Sequence, residues 1–310
     1  MYFSVIIPLY NKAAFICKTI NSVLSQTHPD FEVLVVNDGS TDNSLEIVKA
    51  ITDERITIIS QTNQGVSAAR NTGIKAAKYD YIALLDGDDW WEETYLEEMS
   101  NLIQEYPAVS IYSALFALFY KGMVFPSLEM LKKNDKKTHC LDGLQMGIQW
   151  RRLPVHTSAV IVKKDILARS GLFDERITLF EDHDLFIRIS VFSQWAFTEK
   201  KPLVFYNLDV PKSQRITGMP VVLEKHLLFY ADKFKAFYAD NTLLPYFMKV
   251  FILSCLYDLR YCPGYKLFKK DILKDIPLKM FTFRQMIKLH CPVFFTDTVR
   301  KLYFMIKKGP

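Results

Sequence analysis

The chain has 310 residues, half of them apolar, and a net charge of +5, so it can form one large domain or two smaller ones. Its five cysteines are odd in number, and no pair has metal-ligand spacing, which favours reduced thiols in a cytosolic protein. The N-terminus lacks the basic region and cleavage site of a signal peptide, and the apolar stretches are too short or too interrupted for membrane spans. We therefore expect a cytoplasmic globular protein rather than a secreted or integral membrane protein.

Strand and helix patterns alternate along residues 3–85. Short apolar runs predict strands, and segments with helical spacing or many alanines predict helices between them. The strands are expected at 3–7, 31–36, 55–60 and 81–85, and the helices at 15–24, 42–50 and 66–77, with Ser40 or Thr41 capping the second helix. This alternation predicts right-handed crossovers and a mostly parallel sheet with helices on both faces. The segments that follow three of the strands, 8–11, 37–42 and 86–89, should then meet at one crevice.

The pattern changes after residue 105. A hairpin is predicted around Lys121-Gly122, and further elements follow it. The hairpin strands are expected at 109–120 and 123–125, another strand at 155–162, a helix at 181–192 and an extended segment at 195–206. Because the chain becomes mostly helical from residue 221, two domains are predicted, at 1–218 and 219–310.

The fourth predicted strand ends in the sequence Asp86-Gly87-Asp88-Asp89. Asp86 and Asp88 are two residues apart, so in an extended chain their carboxylates share one side. Neighbouring carboxylates repel each other and stay ionised most easily around a hard cation such as Mg²⁺ or Mn²⁺, which favours phosphate oxygens as further ligands. The segment therefore predicts a metal-assisted phosphate or nucleotide site. The alternative is a surface turn in which Asp89 caps an acidic helix.

Three other residues suit such a site but also have ordinary structural explanations. Asp38 ends the second strand, where it could hydrogen-bond a ribose or a base edge, or form only an Asx turn before the next helix. Arg70 is the one charge in an alanine-rich segment, where it could reach a nucleotide or be solvated. His156 could contact a metal or a phosphate, and we interpret it as a core histidine.

A second group of acids, Glu181, Asp182 and Asp184, lies at the start of a predicted helix. Capping a helix needs fewer than three acids, so at least one of them is a candidate general base. The helix dipole lowers the pKa of a carboxylate there, whereas a neighbouring carboxylate raises it, and the sequence leaves this balance open. The alternative is simple complementarity to the helix dipole, with Asp184 and Arg188 as an ion pair.

Several motifs occur in order and together resemble those of one family. They are Ser4-Val-Ile-Ile-Pro-Leu-Tyr-Asn11, Val36-Asn-Asp-Gly-Ser-Thr-Asp42, Asn63-Gln-Gly-Val-Ser-Ala-Ala-Arg-Asn-Thr-Gly73, Leu85-Asp-Gly-Asp-Asp89, Gly171-Leu-Phe-Asp-Glu175 and Glu181-Asp182. Their spacing resembles that of the family-two glycosyltransferases, which are inverting enzymes with the GT-A fold. The resemblance covers residues 1–210 and leaves the C-terminal part of the chain uncovered.

The resemblance implies an α/β fold of the GT-A (Rossmann-like) type, with a mostly parallel sheet flanked by helices and a C-terminal helical extension. It implies a nucleotide-diphospho-sugar donor, with a UDP-sugar as the first choice, and a divalent cation, Mn²⁺ or Mg²⁺. It also implies roles for particular residues. Pro8, Tyr10, Asn11 and Asp38 line the nucleoside pocket, Arg70 contacts the nucleotide, Asp86 meets the ribose, Asp88 holds the metal, and Asp182, beside Glu181, takes the proton from the acceptor. The loop after Tyr206 departs from the family because it lacks the histidine that some members carry there. We expect Lys212, Ser213 and Arg215 to cover the diphosphate instead.

We expect a metal-dependent enzyme of the hexosyltransferase type that builds a surface or cell-envelope glycan on a glycan or lipid-linked acceptor, with no nucleic-acid partner. The Gln-x-x-Arg-Trp motif of processive members is absent, which favours transfer of one sugar. Two alternatives are a non-catalytic nucleotide-sugar-binding or scaffold protein on the same fold, and a doubly wound signalling domain with an acidic pocket. The complete set of Asp86, Asp88 and Asp182 argues against the first, and the motif that ends at Gly73 argues against the second.

The C-terminal region is basic and rich in aromatic residues. Residues 263–310 hold 11 Lys and Arg against 3 Asp and Glu, a net charge of +8, which leaves −3 for residues 1–262. Basic and aromatic residues interleaved on helices suit an anionic membrane surface, so one interpretation is peripheral attachment to the inner face of the cytoplasmic membrane. The other is that the aromatic residues pack on the catalytic domain.

Overall fold

The apolar runs of the first part of the chain form one half of the central sheet. The structure is a computed structural model that describes residues 1–126, 138–150, 153, 155–198, 201–211, 226–237, 241–245, 247–248 and 251–252. Strands β1 (Phe3–Leu9), β2 (Phe31–Asp38), β3 (Ile56–Gln61) and β4 (Tyr81–Leu84) pair in parallel in the order β3-β2-β1-β4. Every residue of β2 is buried, as in a parallel sheet that is covered on both faces. The predicted strands are confirmed.

Three helices connect these four strands. They are α1 (Ile16–Leu24), α2 (Ser44–Lys49) and α3 (Val66–Ala76). Small residues let α3 lie close to the sheet, since a Cβ atom at Gly73 would clash with Cγ2 of Ile6. The predicted cap of the second helix is wrong. Helix α2 begins only at Ser44, because Asp42 closes the preceding turn by accepting a 2.9 Å hydrogen bond from the Ser44 amide.

Four more strands extend the sheet beyond β4. They are β6 (Ile111–Ala114), β9 (Thr138–Leu141), β10 (Val160–Lys163) and β11 (Trp195–Thr198), in the order β10-β6-β11-β9. Strands β9 and β10 run against the other six, so the sheet is mixed but mostly parallel. Along β1, Ile6 joins one apolar cluster while Val5 and Ile7 join another, because successive side chains point to opposite faces.

A second sheet has four short strands. They are β5 (Trp90–Trp91), β7 (Phe116–Tyr120), β8 (Met123–Pro126) and β12 (Val204–Asn207), in the order β5-β12-β7-β8. The predicted hairpin between β7 and β8 is confirmed. Its turn residues Lys121 and Gly122 both have positive φ, as the tightest hairpin turns require.

Three predicted strands are shorter than expected. The run at 109–120 divides between β6 and β7, and the segment at 195–206 divides between β11 and β12, so each contributes to both sheets. The predicted strand at 155–162 starts only at Val160, because Thr157–Ala159 form a 3-10 helix. Apolar runs show that a segment is buried, but they do not show where the chain leaves one sheet for another.

The remaining helices pack around this second half. They are α4 (Tyr95–Glu105), α5 (Gly143–Trp150), α6 (Lys164–Ser170), α7 (Glu181–Ser190) and a 3-10 helix at Leu227–Phe237. Helix α4 begins at Tyr95, so the alternative in which Asp89 caps a helix is wrong. Within the described ranges, no helix is long and apolar enough to cross a membrane.

The described part of the C-terminal region packs on helix α7 and strand β11. Leu227, Phe234, Phe247 and Phe251 are fully buried in the same apolar cluster as residues of α7 and β11. The boundary at residues 218 and 219, the helical extension beyond residue 252, and the basic tail at 263–310 lie outside the described residues, so these three stay predictions.

Candidate active site

The acidic motif lies where β4 ends, beside the end of β1. The amide of Leu85 donates to the carbonyl of Ile6, which fixes the next residues at the carboxyl edge of the sheet. Asp89 is fully buried, whereas Asp86 and Asp88 are partly exposed. The three acids therefore stand at the edge where ligands of such sheets bind, as the sequence predicts.

Arg70 joins this motif to the second group of acids. Its guanidinium, on α3, is buried and donates hydrogen bonds of 2.7 Å to Oδ1 of Asp86 and 2.9 Å to Oε1 of Glu181. Burial opposes its charge, but the two carboxylates outweigh burial and raise the pKa of Arg70 above its ordinary value. The predicted nucleotide contact is not tested by this arrangement. In the structure the side chain bridges two carboxylates.

Glu181 and Asp182 begin α7 in contrasting environments. Burial is the main cause that raises the pKa of Glu181, to about 7, against the opposing charge of Arg70. Burial acts in the same direction on Asp182, but the charge of His183 and its hydrogen bonds outweigh it and hold the pKa of Asp182 below its usual range. Asp182 accepts 2.7 Å and 2.9 Å contacts from the amide and Nδ1 of His183. Asp182 is thus the acid that is ionised throughout neutral pH.

The segment His156-Thr157-Ser158 contacts one acid of each group. Oγ1 of Thr157 donates a 3.0 Å hydrogen bond to Oδ2 of Asp182, and Oγ of Ser158 donates one of 2.6 Å to Oδ2 of Asp89. The sequence interpretation missed Thr157 and Ser158, and it placed His156 in the core. The one sequence feature that could have indicated these site residues is the run of three consecutive polar residues within an otherwise apolar segment.

Asp86, Asp89 and His156 form a group that could hold a metal ion. One ligand atom from each lies within 4.8 Å of the others. Burial, together with the charges of Asp88 and Asp86, raises the pKa of Asp89 well above its usual value, and burial raises that of Asp88. A bound cation would favour the ionised form of both acids, and carboxylate ligands suit Mn²⁺ or Mg²⁺. The residues present therefore fit a divalent cation.

Asp88, the predicted metal ligand, stands beside this group. Its Oδ2 accepts a 2.6 Å ion pair from Nζ of Lys12, so a cation on that oxygen would compete with the lysine. Asp89 already receives hydrogen bonds on both oxygens, from Ser158 and from the amide of Asn207 at 3.0 Å. The assignment of the metal to Asp88 stays a prediction.

The predicted nucleoside-pocket residues lie at the ends of β1 and β2. Both oxygens of Asp38 accept hydrogen bonds from the next crossover, 2.9 Å from the Gln64 amide and 2.8 Å from the Gly65 amide. Asn11 has a positive φ of 52°, and its Oδ1 accepts a 2.8 Å bond from the Thr41 amide. These two side chains brace the loops of the crevice, while Tyr10 is exposed and Pro8 is half-buried. Lys212 and Arg215 lie outside the described residues.

Known proteins are similar to this chain in sequence and in fold. Residues 4–150 match the family described as glycosyl transferase family 2. Glycosyltransferase GlyA of Streptococcus pneumoniae serotype 4 is 29% identical over 267 residues, which are 77% of this chain and 38% of GlyA. EpsH of Bacillus subtilis is 33% identical over 214 residues, 67% of this chain and 61% of EpsH. The chain thus spans less than two thirds of the length of either relative.

Solved structures agree on the architecture. The structure of Staphylococcus aureus TarS residues 1–349 with UDP-GlcNAc has a TM-score of 0.72 and 18% identity, covering 90% of this chain and 83% of that one. The fold is therefore of the GT-A type, as predicted. In sequence, residues 4–150 are similar to glycosyl transferase family 2.

Proposed function

We propose that the protein transfers one sugar from a nucleotide-diphospho-sugar to an acceptor hydroxyl, with inversion at the anomeric carbon. The observation that carries this is the bridge from Arg70 to Asp86 and Glu181, which unites the two acid groups in one crevice. A binding protein would need only the donor side of that crevice. The second group, with an ionised Asp182, adds a proton acceptor.

The donor is proposed to be a UDP-sugar. TarS, which shares the fold, has been solved with UDP-GlcNAc, and the family of residues 4–150 supports the same donor class. The carboxyl ends of β1 and β2, with Tyr10 and Asp38, would receive the nucleoside. Lys212 and Arg215 would cover the diphosphate.

A divalent cation, Mn²⁺ or Mg²⁺, is proposed for Asp86, Asp89 and His156, with Asp88 beside them. When bound, it would neutralise the charge that develops on the departing diphosphate. Arg70 adds a fixed positive charge behind Asp86. Burial lowers the pKa of His156, so its imidazole is neutral and available as a ligand.

Asp182 is proposed as the general base. Its carboxylate is ionised and partly exposed, with Thr157 and His183 holding its orientation. Taking the proton from an acceptor hydroxyl would let that oxygen attack from the face opposite the nucleotide, which inverts the anomeric configuration. Glu181, which is more buried and paired with Arg70, is proposed to hold that guanidinium in place.

The acceptor is proposed to be a glycan or lipid-linked glycan of the cell surface or envelope. A cytoplasmic location at the inner face of the membrane, with attachment through residues 263–310, goes with this proposal and rests on the charge of that tail. The second candidate function is nucleotide-sugar binding without transfer on the same fold.

The experiment is a screen of purified protein against a panel of nucleotide sugars with Mn²⁺, following nucleotide release. Release from one donor class, accelerated by an acceptor extract, is the expected result. Saturable donor binding by calorimetry with no release under any condition would favour the binding protein instead.

A further inference from the structure

We propose that the ring of Phe180, held by the described residues of the C-terminal segment (226–237, 241–245, 247–248 and 251–252), positions the carboxylates of Glu181 and Asp182. This rests on the proposed function. Phe180 is a positioning residue, because it touches neither the proposed donor site nor the reacting atoms. The inference extends the active site into a part of the chain that lies beyond the matched family residues 4–150.

Phe180 has a backbone conformation that a bulky residue rarely adopts. Its φ of 66° and ψ of 31° lie in the left-handed region, immediately before the first residue of α7. Among the described residues only Asn11 and Lys121 share a positive φ without being glycine. Such a conformation persists only where the surroundings impose it, and it is enriched at functional sites.

Aromatic side chains surround the ring of Phe180. Its centroid lies 5.3 Å from that of His183, 5.2 Å from His226 and 6.0 Å from Phe251, each in an edge-to-face arrangement. Phe251 also stacks on His183 at 5.8 Å. Because His183 contacts Oδ1 of Asp182, the cluster reaches the proposed base through one side chain.

The C-terminal segment is fastened to the same region by polar contacts. The amide of Leu227 donates a 3.2 Å hydrogen bond to the carbonyl of Leu179, the residue before Phe180. Nζ of Lys233 forms ion pairs of 2.8 Å with Asp174 and 2.5 Å with Asp184, which is on α7. The segment therefore contacts the chain both before and after Phe180, in the turn that presents the two carboxylates.

Loss of these contacts should displace the first turn of α7 and leave the donor side unchanged. The predicted nucleoside residues lie at the ends of β1 and β2, whereas the rings of Phe180 and Phe251 contact His183 at the start of α7. A misplaced base lowers kcat steeply, since small displacements of reacting groups have large effects on rate. Donor affinity should be unaffected.

The test compares Phe180→Ala and Phe251→Leu with Phe237→Ala as the matched control. Phe237 ends the 3-10 helix Leu227–Phe237, which also carries Lys233, but its ring meets Phe192 beyond the other end of α7. We expect kcat to fall about 10-fold or more in the first two variants, with the donor Kd within about 2-fold, and the control to keep its kcat. The fall in kcat should be smaller in Phe180→Tyr than in Phe180→Ala. An unchanged kcat in Phe180→Ala, or losses that merely follow the melting temperature in all variants, would overturn the proposal.

Hydrogen exchange gives a readout that needs no substrate. The amides of His183 and Asp184 are hydrogen-bonded to Asp182 and to the carbonyl of Phe180. Their exchange should accelerate in Phe180→Ala and Phe251→Leu and not in Phe237→Ala. Unchanged exchange would refute the positioning role. A wild-type protein that releases no nucleotide from any donor would refute the proposed function instead, and the exchange result would still decide the inference.

Discussion

Asp86 and Glu181 accept hydrogen bonds from the two arms of one guanidinium, at 2.7 Å and 2.9 Å. One acid follows a strand of the first half and the other begins a helix of the second half, so Arg70 is the point where both halves of the site meet. A planar guanidinium can serve two carboxylates at once, which an ammonium group cannot do with the same geometry. The side chain is buried, so this charge is shielded from competing water.

Arg70→Ala should destabilise the fold and abolish activity. It leaves two largely buried carboxylates without their partner, which costs about 3 kcal/mol in the free energy of unfolding. Arg176→Ala is the matched control, because Arg176 is exposed in its ion pair with Asp174 and its loss should cost under about 1 kcal/mol. Urea unfolding measures both variants. Equal losses of unfolding free energy in the two variants would show that the Arg70 bridge stabilises the fold no more than an exposed ion pair does.

Glu181 should make stability fall as pH rises towards neutral. Its pKa in the folded protein is about 7, raised mainly by burial from the ordinary value of 4.5. The folded state therefore binds more protons than the unfolded state between these two values, and this contribution to stability is lost as pH rises through about 7. The substitution Glu181→Gln removes the carboxyl group that titrates. Unfolding free energies measured from pH 4.5 to 7.5 should decline more for the wild type than for the variant, and parallel curves would contradict the assignment.

Metal removal should abolish transfer. EDTA is expected to inhibit the wild type and Mn²⁺ to restore it, because carboxylate oxygens are the ligands that such cations prefer. Asp88→Ala and Asp89→Asn should each weaken Mn²⁺ binding measured by calorimetry, whereas Asp80→Ala should not, because Asp80 is exposed and precedes β4 at the end opposite the site. Full activity in EDTA would remove the metal from the mechanism. Loss of Mn²⁺ binding in Asp89→Asn without loss in Asp88→Ala would leave Asp86, Asp89 and His156 as the ligands and exclude Asp88.

The basic tail should bind anionic membranes. Residues 263–310 carry a net charge of +8, and each lysine near such a surface contributes about 1 kcal/mol, so binding should weaken as salt rises. Co-sedimentation with phosphatidylglycerol vesicles compares the full chain with one that ends at residue 262. Equal sedimentation of both proteins, or none at low salt, would favour packing of the tail on the catalytic domain.

Local patterns in the sequence predict the first four strands and the position of the acidic motif. The burial of Val33 and Val35 follows from the pattern of apolar residues around them, and the carboxylates come directly after the apolar run that ends at Leu84. The periodicity of the sequence therefore reveals both features. The partners of these groups are set by distant segments. Neither the bond from Ser158 to Asp89 nor that from Arg70 to Glu181 has a local signature. The left-handed Phe180 is likewise imposed by tertiary contacts, against the preference of its own side chain.

The most direct measurement compares nucleotide release by the wild type, Asp182→Asn and Glu181→Gln with the donor that the screen identifies. Loss of a general base costs on the order of 10²- to 10⁴-fold in rate, so Asp182→Asn should fall by that factor while its donor Kd by calorimetry stays the same. Glu181→Gln should retain far more activity, because its carboxylate serves Arg70 rather than the acceptor. Near-normal turnover in Asp182→Asn, with loss in Glu181→Gln, would contradict the assignment of the base, and no release by the wild type from any donor would contradict the transferase itself.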